Sequence, residues 1–292
     1  MTGVLIKVLR KLHLLRRVVV YTRRTIGGRS IRIPIYLDIG GMHLVDRDPW
    51  MLPLLQHLLA GSNGTFVDAG ANIGQTLLRV HAISPSTPYL GFEPNPLAVA
   101  YIRELLRANS IGDKQLICAA LGGSDGVQEL EHYHGDPADA SASTVPGFKQ
   151  GHPIEGRTMV PLLHFDTHAN TCLHGSLGVV KVDVEGAEFE VLAGMKEHLK
   201  RDRPAIVLHL PPVHRDSHTE RLHRQEKMQG LLSSLDYRLH RILWDGTCIS
   251  LHAITGPIGI HSEPDWSNYL AVHVSREAAF LSGFPTVDQA GQ

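Results

Sequence analysis

A chain of 292 residues with 28 basic and 29 acidic side chains is almost neutral, which removes any global electrostatic case for a nucleic-acid partner. With 43% hydrophobic and 20% charged residues it has the make-up of a globular protein, long enough for one large α/β domain with elements added at its ends. Cys118, Cys172 and Cys248 are its three cysteines and none stand in CxxC spacing, so neither a disulfide framework nor a zinc knuckle is indicated. The expected setting is reducing and cytoplasmic, and no run of about 18 apolar residues offers a membrane span.

Residues 1–24 are basic throughout, with no acid before Asp38. At about 100° per residue, Leu5, Val8, Leu9, Leu12, Leu15 and Val19 share one face, with Lys7, Arg10, Lys11 and Arg17 opposite and Arg16 on the apolar edge. This predicts a basic amphipathic helix. Through residues 4–20 it fits a face packed on its own domain or on a partner subunit, or one laid on an anionic membrane surface. It does not read as a signal peptide, because the basic residues run through the apolar stretch.

Ile31, Ile33 and Ile35 alternate with Arg32 and Pro34, predicting a glycine-punctuated hairpin within residues 25–50. A helix follows over Trp50–Ala60, opened by Asp48-Pro49.

Thr65–Gln75 reads TFVDAGANIGQ: a short β-prone run, a turn of small residues and a helix start. That is the layout of a nucleotide-binding βα unit, although an ordinary strand-to-helix turn reads the same way. Gly70 and Gly74 form GxxxG, not the GxGxxG of dinucleotide binders. A carboxylate at Asp68 repels a pyrophosphate and suits a cationic ligand. The methionine end of S-adenosylmethionine, with its ammonium and sulfonium, meets that requirement better than NAD.

Tyr89–Phe92 is the second strand, and Glu93 ends it 23 residues after Gly70, where a carboxylate is placed for ribose hydroxyls. A helix runs from Pro96 to about Asn109. Gln115–Ala120 is the third strand, making Ala120 and Leu121 candidate adenine neighbours. Residues 124–160 are irregular, with a short strand at Val127–Tyr133 and a polar loop at 139–144. Thr158–Leu163 is a further strand. Val179–Val184 is a buried strand that carries Asp183 and Glu185 at its end, followed by one helix over Ala187–Leu199. Pro204–Leu210 is the next strand and puts His209, with His214 beyond it, near Asp183 if the strands are neighbours. A helix over Arg221–Leu235 and strands at Tyr237–Leu243, Ile249–Ile254 and Tyr269–Val274 complete the pattern.

In order, VDAGANIG (67–74), GFEPNP (91–96) and VVKVDVEGAEFEVLAGM (179–195) make residues 65–240 resemble the FkbM family of S-adenosylmethionine-dependent methyltransferases. The resemblance implies a Rossmann-like class I methyltransferase fold: a seven-stranded, mostly parallel sheet with helices on both faces and one antiparallel strand. It implies that Asp68, Gly70, Asn72 and Gly74 line the methionine end of the cofactor, that Glu93 holds the ribose and that Asp183 borders the methyl group. It also implies O-methylation of a hydroxyl on a sugar, glycan or natural product. His209 stands where family members often have glutamate, which leaves acceptor preference open. The expected division is an extension over 1–60, a methyltransferase domain over 61–282 and a tail over 283–292.

An oxygen acceptor needs a base within hydrogen-bond reach. His209 or Asp183 is the candidate, with Glu185 and His214 in second place. Asp183, His209 and Glu185 could instead hold a divalent metal. A nucleotide-dependent oxidoreductase and a non-catalytic module docking through its basic helix are the competing readings.

Overall fold

The computed structural model describes residues 18–37, 39–215, 218–284 and 286–287. Most of the expected N-terminal helix lies outside these residues. Where it reaches them it is overturned: Val20–Ile26 is a strand, β1, paired antiparallel with β2, Arg29–Ile35. The periodicity count passed over the run Val18-Val19-Val20-Tyr21-Thr22, whose β-branched and aromatic side chains favour extended backbone. Gly27 and Gly28 both take positive φ, 53° and 80°, as a two-residue hairpin turn requires.

Helix α1 is Met51–Ala60. Strand β3, Thr65–Ala69, leads into helix α2, Gln75–Ile83. Strand β4, Tyr89–Phe92, leads into α3, Pro96–Ala108, whose N-cap Asn95 accepts a hydrogen bond from the Leu97 N–H. The expected third strand is broken in two. Strand β5, Lys114–Ile117, belongs to the main sheet, and after a tight turn at Cys118-Ala119 the chain enters β6, Ala120–Gly122, in a separate three-stranded sheet. Its companions there are β7, Gly126–His132, and β8, Gly156–His164. Helix α4, Phe165–Cys172, has few apolar residues and gave no sequence signal.

Strand β9 is Leu177–Val182. The single helix expected after it is two, α5 at Glu188–Gly194 and α6 at Lys196–Asp202. Gly194 sits against β6: a Cβ there would lie 2.1 Å from the Gly122 carbonyl oxygen, so the helix ends where the second sheet presses on it. Strand β10, Ala205–His209, helix α7, Thr219–Ser234, and strands β11, Tyr237–Trp244, and β12, Ile249–Ala253, follow. Strand β13, Asn268–His273, is not the last element: α8, Glu277–Leu281, and β14, Thr286–Val287, come after it.

The main sheet runs β14-β12-β11-β13-β10-β9-β3-β4-β5. From β5 to β10 neighbours are parallel, and β13 is antiparallel to both β10 and β11. The expected seven strands with one antiparallel member are therefore present, and β12 and β14 extend the sheet to nine strands among the described residues. The chain is an α/β protein with a Rossmann-like sheet.

Alternate side chains of each central strand go to opposite faces. Phe66, Tyr89, Val179 and Val207 face a core shared with Leu54 and Leu58 of α1, Leu77 of α2, Tyr101 and Leu105 of α3, and Ile31, Ile33 and Ile35 of β2. Val67, Leu90, Val180 and Ile206 face Val191 and Leu192 of α5, Leu199 of α6, and Met228 and Leu232 of α7. Two buried faces explain why β9 carries Val179, Val180 and Val182 rather than alternating apolar and polar residues.

The loop after β3 depends on one glycine. Gly70 has φ 85°, and a Cβ there would stand 1.9 Å from the Asp183 carbonyl oxygen. This clash, added to the left-handed backbone, predicts that Gly70→Ala loses about 3 kcal/mol or more. Gly28→Ala, at φ 80° with open space around it, loses only the ~1–2 kcal/mol of its backbone conformation. Urea unfolding of the two variants checks the difference, and equal losses would refute it.

Candidate functional site

The site lies at the C-terminal ends of the parallel strands. The Gly70 and Ala71 N–H groups both donate to the Phe92 carbonyl, at 2.9 and 3.0 Å, which closes the β3–α2 loop onto the end of β4. Asn72, held at φ 49°, donates its N–H to Glu93 Oε2 at 2.7 Å. The Asn95 N–H donates to Glu93 Oε1 at 2.8 Å. Burial pushes the Glu93 carboxyl up to about 7, against the lowering effect of these two donors. Each carboxylate oxygen keeps further lone-pair capacity after its backbone contact.

A row of polar side chains crosses the same face of five adjacent strands. Tyr89 of β4 donates its hydroxyl to Asp68 of β3 at 2.6 Å. Lys181 of β9 stands 3.5 Å from Asp68 Oδ1 and 3.1 Å from Asp183 Oδ2. One strand over, Val182 and Leu208 are register partners, so Asp183, directly after β9, and His209, the last residue of β10, occupy the next position. Asn268 of β13 lies opposite His209, with Oδ1 3.1 Å from the imidazole Nδ1.

Charge pairing decides the protonation of this row. Burial would raise the Asp183 carboxyl, but Lys181 and His209 outweigh it and hold it below its usual value. Asp68 is fully buried, and there burial wins over Lys181 and Tyr89, so its carboxyl is raised. Lys181 is held charged by the two carboxylates despite its own burial. His209 is raised above the ordinary imidazole value. Burial opposes the shift, and Asp183, the Asn268 contact, Glu185 and Glu188 drive it. The Glu185 carboxyl is raised by burial while Lys149, 3.2 Å away, pulls it down.

These residues surround a cavity of ≈ 410 Å³. Gly70, Asn72, Glu93, Ala120 and Leu121 line one part, and Lys181, Asp183, Glu185, His209 and Asn268 line another. The remaining wall comes from the polypeptide before β3 (Met42, His43, Trp50 and Met51), from Arg79 of α2, and from the loop at Ala138–Ala140. The His43 ring is fixed on the Ile73 carbonyl at 3.0 Å, and burial pushes its titration down to about 4, so it is neutral. Arg24 and Arg79 both pair with Asp46, clamping that segment across the cavity.

Three sequence-predicted residues stand away from this wall. The Asp68 carboxylate is behind it, enclosed by Tyr89 and Lys181, because the side chain one residue before the end of β3 still lies on the sheet face. Gly74 faces Ile102 and Leu105 of α3 and caps α2 at φ 88°. His214 packs against His218 instead, with ring centroids 6.5 Å apart. The proposed metal set fails as well: among the described residues no three His, Cys, Asp or Glu side chains are grouped to hold a metal ion. Among the same residues no helix is long and apolar enough to cross a membrane.

Two residues of the site were missed. Lys181 had a signal, since a lysine inside a buried valine strand must have a charge partner. Asn268 had none, because its role depends on the antiparallel pairing of β13 with β10.

The profile of the Methyltransferase FkbM domain matches residues 68–239, more than half of the chain. The chain belongs to the FkbM methyltransferase family. A curated relative, Methyltransferase 1 of Beauveria bassiana (strain ARSEF 2860), is 28% identical over 144 residues, covering 45% of this chain and 58% of the relative. A crystal structure of the methyltransferase FkbM from Methylobacillus flagellatus KT superposes with a TM-score of 0.44 at 15% identity, over 72% of this chain and 43% of that one. The SAH-bound methyltransferase PaMTH1 of Podospora anserina gives 0.40 at 12% identity, over 77% of this chain and 76% of that one. The match therefore spans less than two thirds of the curated relative and of the first crystal chain.

Within this FkbM-family site, removing the Lys181 ammonium leaves Asp68 a fully buried carboxylate with no cation beside it, while Asp183, partly exposed at the cavity, keeps His209. Lys181→Met is expected to lose about 3–5 kcal/mol near neutral pH. The Asp68 carboxyl, already raised by burial, would then sit further above its unfolded value, so the folded state holds extra protons and the loss grows as pH rises. Urea unfolding at pH 5 and pH 8 reads this, and a loss that does not depend on pH contradicts the pairing.

Proposed function

We propose that this FkbM-family chain transfers the methyl group of S-adenosylmethionine to a hydroxyl oxygen of a sugar, glycan or natural-product acceptor. The observation that carries the proposal is convergence: the carboxylates of Glu93 and Asp183, from the strands on either side of β3, open on one cavity with His209. Its size falls in the ~300–1,000 Å³ of small-molecule sites. The donor set also fits the cofactor. Glu93 has acceptor capacity for two ribose hydroxyls, Ala120 and Leu121 offer an apolar wall for adenine, and the open loop at Gly70 and Asn72 admits the methionine end. The charge argument drawn from Asp68 passes to Asp183, the carboxylate that does face the cavity.

S-adenosylmethionine, when bound, supplies a methyl group already activated on a sulfonium centre. What remains for the protein is alignment of the acceptor and removal of its proton. His209 is the base in this reading. Its imidazole takes the hydroxyl proton in the neutral form, and Asp183 beside it stabilises the imidazolium that results. Glu185 is a poorer base because Lys149 is salt-bridged to it.

Calorimetry with S-adenosylmethionine, and with NAD as control, tests the cofactor assignment. Binding of NAD in its place overturns it. Because the ionised Glu93 is the better ribose acceptor and its carboxyl titrates at about 7, affinity for S-adenosylmethionine should rise with pH through that value. In Glu93→Gln affinity falls at least about 10-fold and loses this pH dependence, as expected for one charge-assisted hydrogen bond of about 1.5–3 kcal/mol. Screening glycans and hydroxylated metabolites for transfer of labelled methyl tests the acceptor class, and transfer confined to nitrogen acceptors contradicts it.

A further inference from the structure

We infer that Asn268 is a positioning residue that fixes the tautomer of His209, so that the lone pair of neutral imidazole lies on Nε2. The inference extends the proposal that His209 is the base, but its geometry stands independently. His209 and Asn268 are direct partners across the antiparallel β10–β13 pair, and the carboxamide Oδ1 lies 3.1 Å from Nδ1. An amide oxygen only accepts, so Nδ1 carries the hydrogen and donates it. The other ring nitrogen is left without a proton in the neutral form, and both residues border the cavity. Without Asn268 the imidazole would be free to place its proton on either nitrogen. In the wrong tautomer it has no lone pair at Nε2 to accept an acceptor's proton, the same fault that a misdirected hydrogen bond produces in a Ser-His-Asp triad.

The groups that act on His209 come from several elements. Asp183 at the end of β9, Glu185 in the turn after it and Glu188 at the start of α5 all favour the imidazolium. Lys181 pairs with Asp183, and Lys149 pairs with Glu185. Of the neighbours that shift His209, Asn268 is the uncharged one, and it contacts Nδ1 directly. It can therefore set the proton's position without supplying a charge. Its position lies outside residues 68–239, so this element of the site comes from β13, beyond the matched domain.

The test is long-range proton–nitrogen NMR of the full chain labelled with nitrogen-15 histidine, followed through a pH titration. The His209 signals are assigned by their loss in His209→Gln. Wild type is expected to show the Nδ1–H tautomer. Asn268→Asp, which can also only accept, keeps that tautomer and moves the His209 midpoint up by about 1 pH unit or more. Asn268→Leu shifts the ring toward the Nε2–H tautomer and moves the midpoint down, because a contact favouring the charged ring is gone. A wild-type Nε2–H tautomer, or unchanged tautomer and midpoint in Asn268→Leu, overturns the inference. If the leucine variant does not fold, the aspartate variant and wild type still decide it. Undiminished methyl transfer by His209→Gln would remove the base assignment and leave the tautomer result standing, so the two failures are separable.

Discussion

The ammonium of Lys181, placed between two carboxylates inside the sheet, is the interaction on which the site depends. Asp68, fully buried, has the Lys181 ammonium as the cation beside it, and the lysine could not be buried without its carboxylate partners. The pairing links β3 to β9 through side chains as well as through the ladder, and it fixes which carboxylate faces inward. Asp68 closes the back of the row with Tyr89. Asp183 keeps its charge at the edge of the cavity, next to His209.

The sheet determines how far this arrangement extends. Parallel strands β4, β3, β9 and β10 end together, so their last side chains share one opening, and β13 adds Asn268 from the opposite direction. The crevice beyond the carboxyl ends of such strands is the general ligand position of α/β sheets. Glu93 occupies it through a different device: two backbone N–H groups, from Asn72 and Asn95, hold its carboxylate in place. The nucleoside wall and the proton-handling wall are thus built by separate means, one from loop backbone and the other from buried charge.

The glycine loop, the central strands and the cavity residues Glu93, Asp183 and His209 are legible in the sequence, because each has a local cause. The TFVDAGANIG stretch had to be a strand and turn, and Glu93 and Asp183 followed from their places at strand ends. What could not be seen has non-local causes. Asp68 looked accessible because the sequence does not show Lys181 enclosing it. His214 is close to His209 along the chain, yet packs elsewhere. The helical periodicity of the basic N-terminal residues gives way at β1 because the β-branched run around Val20 favours extended backbone, and α5 ends early because Gly194 meets β6. The wall built by Met42, His43, Trp50 and Met51 depends on packing between distant segments, which no motif marks.

The most direct test of the account is a crystal structure of the chain with S-adenosylhomocysteine. The account predicts the ribose hydroxyls on the Glu93 carboxylate, the adenine beside Ala120 and Leu121, and the sulfur on the side of the cavity that holds Asp183 and His209. A nucleoside bound elsewhere, or turned so that its ribose lies away from Glu93, would contradict it.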